Sequence, residues 1–228
     1  MNTMNSDIDT MTGLLTKKAF LTLLRRRFLE YRENKEEVSF ITWDIDRFLY
    51  INQNYGREVG DEVIRWQAEL AKRKLGKEAI ISRIGGDEIA AVIPHMAREQ
   101  ALLQMEDIRK VFEAELAPHL EEKFSIEIPD PICITIGISA FPIDGRSPNE
   151  LFRKADEALY HAKIGGRNRV KLAQDGNMVT KTSHYTQSQL ERLTILSKEM
   201  DINEAELLRE AMDDLLLKYQ SGDFLGHP

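Results

Sequence analysis

Asp44 closes an apolar run, Val38 to Trp43, that is rich in strand-forming residues, and Gly85-Gly86-Asp87-Glu88 joins two more such runs, Ile80 to Ile84 and Ile89 to Ile93. Each acid therefore stands at the end of a buried strand, and the glycine turn reads as a hairpin connection. If these strands are neighbours, three carboxylates converge at one sheet edge. Carboxylates packed so closely repel one another and need a cation to coexist in the ionised form. Hard oxygen ligands with open positions suit Mg²⁺, or Mn²⁺ in its place, with substrate phosphates completing the shell. Paired glycines let a ligand come close to the backbone. The turn taken alone leaves a simpler role open, because acids in glycine turns are often merely solvated.

The elements that must position these acids can be read along the chain. Phe20, Leu23, Leu24, Phe28 and Tyr31 share one face of a helix over residues 16–31, with Arg25, Arg26 and Arg27 on or beside the solvated side. Helices are expected over 61–75 and 97–116, and a turn or small hairpin over 121–131. A strand is expected from Cys133 to Phe141. Ser147-Pro148-Asn149-Glu150 then opens a helix to about Ile164, with Ser147 as N-cap, Pro148 at the first helical position and Glu150 completing a capping box. Arg169 to Leu172 is the last strand. This order implies an α+β fold, a mixed, largely antiparallel sheet flanked by helices.

The chain has 228 residues and a net charge of −7, which argues against nucleic-acid binding through a global field. An anionic nucleotide can still be held where metal ions and a few Lys or Arg gather. Cys133 is the lone cysteine and sits among isoleucines, which excludes an internal disulfide and points to a packed thiol. No apolar run is long enough to span a bilayer, and the polar start is unlike a signal peptide, so the expected location is cytoplasmic with no membrane partner.

Five blocks resemble the signatures of the GGDEF family of diguanylate cyclases, in order and spacing. Asp9-Thr10-Met11-Thr12-Gly13-Leu14 opens the domain. Asp44-Ile45-Asp46-Arg47-Phe48 leads through Ile51-Asn52 to Gly60-Asp61-Glu62. Arg83-Ile84 precedes the glycine turn. Ala155-Asp156-Glu157-Ala158-Leu159-Tyr160-His161-Ala162-Lys163 leads to Gly166-Arg167-Asn168-Arg169-Val170. The resemblance implies a palm-like nucleotidyl cyclase fold and the joining of two GTP into cyclic di-GMP with release of pyrophosphate. It implies that Asp44, Asp87 and the Ile45 carbonyl hold two Mg²⁺ ions. Glu88 is then either the acceptor of the hydroxyl proton or a further metal contact. Asn52 and Asp61 match the guanine readers, with Phe48 beside them, and Lys163 and Arg167 match the triphosphate cations. A carboxylate at Asp61 suits guanine, whose N1–H and N2 amino group both donate, and disfavours adenine. Capping of the following helix is the structural alternative for Asp61. Asp9 and Arg83 have the charges to pair and pin the N-terminus.

The sequence departs from that pattern at several positions. Ile89 replaces a phenylalanine, Leu49 a phosphate-holding lysine, Gln53 an aspartate and Arg57 a histidine. The Arg-x-x-Asp product-inhibition site of many members is replaced by Gly76-Lys77-Glu78-Ala79. The alternative to an active cyclase is therefore a regulator that binds GTP or a cyclic dinucleotide and acts through the C-terminal segment.

Domain boundaries follow: a leader over 1–10, the catalytic domain over 11–173, a linker over 174–178, a second module over 179–220 and a tail over 221–228. The second module resembles a ribbon-helix-helix. Val179 to Thr186 is strand-like, Gln187 to Met200 is helical with Leu190, Leu193, Leu196 and Met200 on one stripe, and Asn203 caps a second helix. So few elements cannot bury those leucines alone, and a homodimer is expected. Ribbon residues Thr180, Thr182 and His184 are the candidates for reading DNA. Residues 180–220 carry five basic and eight acidic side chains, a balance of −3 that disfavours phosphate contacts. Dimerisation alone and dimerisation with DNA binding both stay open.

Overall fold

The computed structural model describes residues 7–173 and 183–200, and 203–205, 207, 208, 211, 212 and 215 of the last segment. The chain divides into two compact units, Met1–Gly176 and Asn177–Pro228. The expected linker over 174–178 and the ribbon residues Thr180 and Thr182 lie outside the described residues.

The first unit runs β1 (Leu15–Thr16), α1 (Lys17–Asn34), β2 (Val38–Ile45), α2 (Phe48–Tyr55), α3 (Arg57–Leu75), β3 (Ile80–Arg83), β4 (Ile89–Pro94), α4 (Arg98–Phe124), β5 (Ile134–Phe141), α5 (Pro148–Ile164) and β6 (Val170–Leu172). The six strands form one sheet in the order β1-β3-β4-β2-β5-β6. The β1–β3 and β5–β6 pairs are parallel and the other three antiparallel, so the sheet is mixed and largely antiparallel, as the sequence implies.

Strand alternation sorts the core into two layers. Ile41, Trp43 and Ile45 of β2 face the layer formed with α3 and α4, while Val38 and Phe40 face the layer formed with α1. In that second layer Phe28 meets Phe40 and Phe141 edge-on, at centroid distances of 6.0 and 5.2 Å. Each such pair adds about 0.5–1.5 kcal/mol beyond its buried area. Asp44 shares the parity of Val38 and Phe40, so it emerges on the α1 and α5 side.

Four features differ from expectation. Helix α4 continues through Pro118 to Phe124, where a turn or hairpin was expected. The proline removes one N–H from the helix ladder. Yet Met105, Ile108, Phe112, Leu116 and Leu120 form one unbroken buried stripe, and its burial outweighs the lost bond. Helix α3 starts at Arg57 rather than Asp61, with Gly56 as its cap. Within the expected leader, Ile8 bridges to Leu15, and Asp9 N–H donates to the Leu14 carbonyl at 2.8 Å. At α5, Ser147 caps as expected, but the Glu150 carboxylate accepts from the Arg146 N–H at 2.7 Å, one residue before the cap.

α3 is tied to α4 by Glu62, whose carboxylate meets His119 at 2.9 Å and Lys123 at 2.6 Å. Burial works to raise its pKa, but Lys123, His119 and Arg65 outweigh it and hold the group down at about 2. Cys133 sits just ahead of β5, half-buried. Burial foremost, then the Glu113 charge, pushes its thiol up to about 11, so it is an inert packed group at neutral pH.

In the second unit, Gln187–Met200 forms α6. Helical backbone recurs at Glu204, Ala205, Leu207, Leu208, Ala211, Met212 and Leu215.

α5 lies directly on β5 because Gly137 has no side chain. A Cβ there would stand 2.0 Å from the Ala155 carbonyl oxygen and 2.4 Å from the Leu159 nitrogen, both backbone atoms that cannot swing aside. Gly137→Ala is expected to destabilise the first unit by about 1–3 kcal/mol through overpacking, read as a lower urea midpoint at unchanged slope.

Candidate active site

The β2–β4 register sets Trp43 opposite Ile89, which carries the end of β2 to the glycine turn. Asp44 and Asp87 thereby come close. Burial first, then the neighbouring Asp44 carboxylate and Glu88, pushes the Asp87 carboxyl up to about 7. Lys163 on α5 forms an ion pair with Oδ2 of Asp44. The other oxygen, Oδ1, is buried and is reached by no N–H or hydroxyl donor, while the Asp87 carboxyl lies against the Asp44 side chain. A buried carboxylate oxygen left unpaired costs roughly 1–3 kcal/mol or more, so this atom is open for a cation. Among the described residues no three His, Cys, Asp or Glu side chains gather tightly enough to hold a metal alone. Two carboxylates together with a substrate's phosphates make a donor set for a hard ion.

The turn itself is fixed from two sides. Arg83 donates to the Gly86 carbonyl through Nε at 2.9 Å and Nη2 at 2.7 Å, and through Nη1 to both Asp9 oxygens at 3.3 Å. The expected Asp9–Arg83 pair is thus present, and it also braces the turn. Burial works to raise the Asp9 pKa, but hydrogen bonds from Thr12 and the Arg83 charge hold it below the usual value. On the other side Trp43 Nε1 donates to Gln67 Oε1 at 3.2 Å, and Gln67 Nε2 donates to the Asp87 carbonyl at 3.0 Å. Glu88 Oε2 lies 3.2 Å from where a Cβ on Gly85 would sit, and its charge acts on Asp87.

A second cradle lies at the start of α3. A Cβ on Gly60 would overlap Asn52 Oδ1 at 1.9 Å and approach the Phe48 ring at 3.3 Å. Gly60 thus lets Asn52 and Phe48 pack against α3 beside Asp61. Because α3 begins at Arg57, Asp61 lies more than a turn inside the helix and does not cap it. Its half-exposed carboxylate is left available. Arg167, half exposed, follows α5 with its Nε 4.0 Å from Asp46 Oδ1.

Residues 6–169 match the family described as "Diguanylate cyclase, GGDEF domain". The chain belongs to the GGDEF family. Residues 179–220 match the ribbon-helix-helix domain. This GGDEF protein is 32% identical over 170 residues to diguanylate cyclase A of Treponema denticola, covering 73% of this chain and 44% of that protein. It is 33% identical over 165 residues to diguanylate cyclase DgcM of Escherichia coli, covering 72% and 38%. The chain therefore spans less than half the length of these relatives. The crystal structure of the GGDEF domain of DgcB from Caulobacter crescentus in complex with c-di-GMP aligns with a TM-score of 0.68 at 30% identity, covering 76% of this chain and 99% of that one. The active GGEEF domain of a diguanylate cyclase from Vibrio cholerae aligns at 0.63 and 26%, covering 72% and 99%. No helix of the described residues is long and apolar enough to cross a membrane.

Sequence reading of this GGDEF domain missed Gln67, a buried glutamine inside an amphipathic helix whose pattern carries no site signal. It also assigned no role to Asp46 or Asn168. Leu49, in place of the family's lysine, is 69% exposed and supplies no charge. A cavity of about 760 Å³ lies along the β1–β3 edge and is lined in part by Gly76, Lys77, Glu78 and Ala79. None of the candidate nucleotide residues line it.

Two outcomes follow from this geometry. Metal affinity should fall about tenfold per pH unit below about 7, where the Asp87 proton competes, and level off above it. Mn²⁺ titration followed by electron paramagnetic resonance checks this, and Asp87→Asn should abolish both the binding and its pH limb. Product should not inhibit through the Gly76–Ala79 stretch, so cyclic di-GMP added at low micromolar concentration should leave turnover unchanged.

Proposed function

We propose that this chain is a diguanylate cyclase that condenses two GTP into cyclic di-GMP with release of two pyrophosphates. The observation that carries the reading is the meeting of Asp44 and Asp87 at neighbouring strand ends, with one buried Asp44 oxygen open and Lys163 on the other. Asp44, Asp87 and the Ile45 carbonyl are the groups that would hold Mg²⁺ or Mn²⁺. When bound, these ions activate the attacking 3′-hydroxyl and neutralise the leaving pyrophosphate.

The chain's own groups supply the rest. Asn52 and Asp61 read the guanine edge, with Phe48 against it. Lys163 and Arg167 receive the phosphates, Lys163 as a point charge and Arg167 as a planar fork. Glu88, whose charge acts on Asp87, is placed to accept the hydroxyl proton or to make a further metal contact. The 3′-oxygen of each nucleotide bonds to the α-phosphorus of the other, and the P–O bond to each pyrophosphate breaks.

Each domain holds one GTP, so two domains must face one another. The ribbon-helix-helix segment is the device for this. In one copy its Leu190, Ile195, Leu196, Met200, Met212 and Leu215 are 42–57% exposed, an apolar surface that a second copy would cover. Tethering raises the effective concentration of the second site to about the millimolar range. The partners so proposed are GTP and a second copy of this chain, in the cytoplasm. His184 is exposed and accessible to DNA, although the acidic balance of the segment weighs against phosphate contacts.

A second reading, a GTP-binding or cyclic-dinucleotide-binding regulator, is favoured by the uncharged Leu49. Incubation of the purified chain with Mg²⁺ and GTP or ATP, followed by chromatography, separates the two. Cyclic di-GMP should form from GTP alone, and Asp44→Asn should reduce the rate at least 100-fold, as loss of a metal-binding carboxylate does (on the order of 3 kcal/mol). Nucleotide binding without any cyclic product would leave the regulator.

A further inference from the structure

Asp44 and Asp46 stand two residues apart and would pass in sequence for a pair of metal ligands. Their surroundings differ. Asp44 has a buried oxygen that no N–H or hydroxyl donor reaches. Both oxygens of Asp46 are committed: Thr135 Oγ1 donates to Oδ1 at 2.6 Å, and the Asn168 N–H donates to Oδ2 at 3.0 Å. The Asp46 side chain is 8% exposed, and its own N–H donates to the Cys133 carbonyl at 2.9 Å.

What Asp46 holds is an unfavourable piece of backbone. Gly166, Arg167 and Asn168 have φ of 117°, 62° and 43°, three consecutive residues in the positive range. For a residue with a side chain that conformation costs on the order of 1–3 kcal/mol and persists only where the surroundings enforce it. The enforcement comes from two directions. Asp46 and Thr135 both accept the Asn168 N–H, each at 3.0 Å. On the outer side Arg109 Nη1 donates to Asn168 Oδ1 at 2.6 Å, and Asn168 Nδ2 donates to Glu113 at 2.8 Å. Arg167, one residue earlier, is thereby presented with half its side chain in solvent, its Nε 4.0 Å from Asp46.

We infer that Asp46 is a positioning residue: it locks the strained turn that aims the Arg167 guanidinium at the nucleotide's phosphates, and it binds no metal. Two charged acceptor oxygens hold the hydroxyl and the amide N–H together. Asparagine keeps one acceptor, loses the charge and forces the Thr135 hydroxyl to reverse, so the turn is held less firmly. The inference rests on the proposed phosphate role of Arg167, and a double-mutant cycle tests it.

The full chain is made as wild type, Asp46→Asn, Arg167→Ala and the double variant. Binding of a non-cyclisable GTP analogue with Mg²⁺ is measured by calorimetry, alongside KM and kcat for GTP. Asp46→Asn should weaken analogue binding about tenfold, raise KM similarly and leave kcat within about threefold. The double variant should bind no more weakly than Arg167→Ala. Thr135→Val, which removes the other partner of the turn, should shift affinity in the same direction if Asp46→Asn fails to fold.

Independent losses that multiply in the double variant would overturn the inference. So would unchanged affinity in Asp46→Asn, or in Arg167→Ala. Loss of Mn²⁺ binding by Asp46→Asn in the absence of nucleotide would instead make Asp46 a ligand and also defeat it. Failure of the cyclase reading shows separately: the cycle closes as expected, yet wild type yields no cyclic product. Absence of analogue binding by wild type defeats both.

Discussion

Two carboxylates forced together at the end of a buried strand are the constraint around which the first unit is organised. Asp44 and Asp87 would separate if the chain allowed it, because each raises the cost of ionising the other. The β2–β4 register forbids separation, and the apolar layers on both faces of β2 hold that register. The conflict is relieved in part by Lys163 and in part by the proton that Asp87 keeps up to about pH 7. A doubly charged cation between the two acids would relieve it fully.

Such tension requires a rigid frame. The glycine turn cannot supply rigidity itself, so it is braced from outside: Arg83 and Asp9 hold it on one side, Trp43 and Gln67 on the other. The same logic operates after α5, where three positive-φ residues are clamped by Asp46, Thr135, Arg109 and Glu113. In both places the loop is strained or glycine-rich, and its geometry is imposed by side chains from distant elements. Helix α3, carrying Asp61, is anchored likewise through Glu62.

The second unit meets a different physical problem. In a single copy its Leu190, Leu196 and Leu215 are 42–47% exposed, whereas Leu207 is buried. The proposed self-association would cover this surface and would also bring together the two nucleotides of the proposed reaction.

The sequence by itself determined the order of elements, the α+β class, the two modules and the acids at the strand ends. These are local: a buried apolar run ending in Asp44, a glycine pair before Asp87, Ser147-Pro148 opening a helix. What lay beyond it was decided by partners far apart in the chain. Only the folded sheet set Asn168 on Asp46, 122 residues away, and so separated two similar aspartates into one with an open oxygen and one fully engaged. Only the continued apolar stripe carried α4 through Pro118, and only the start of α3 at Arg57 removed Asp61 from a capping role. Propensity and spacing act over a few residues, whereas hydrogen-bond satisfaction and packing are settled between whichever groups the fold brings into contact.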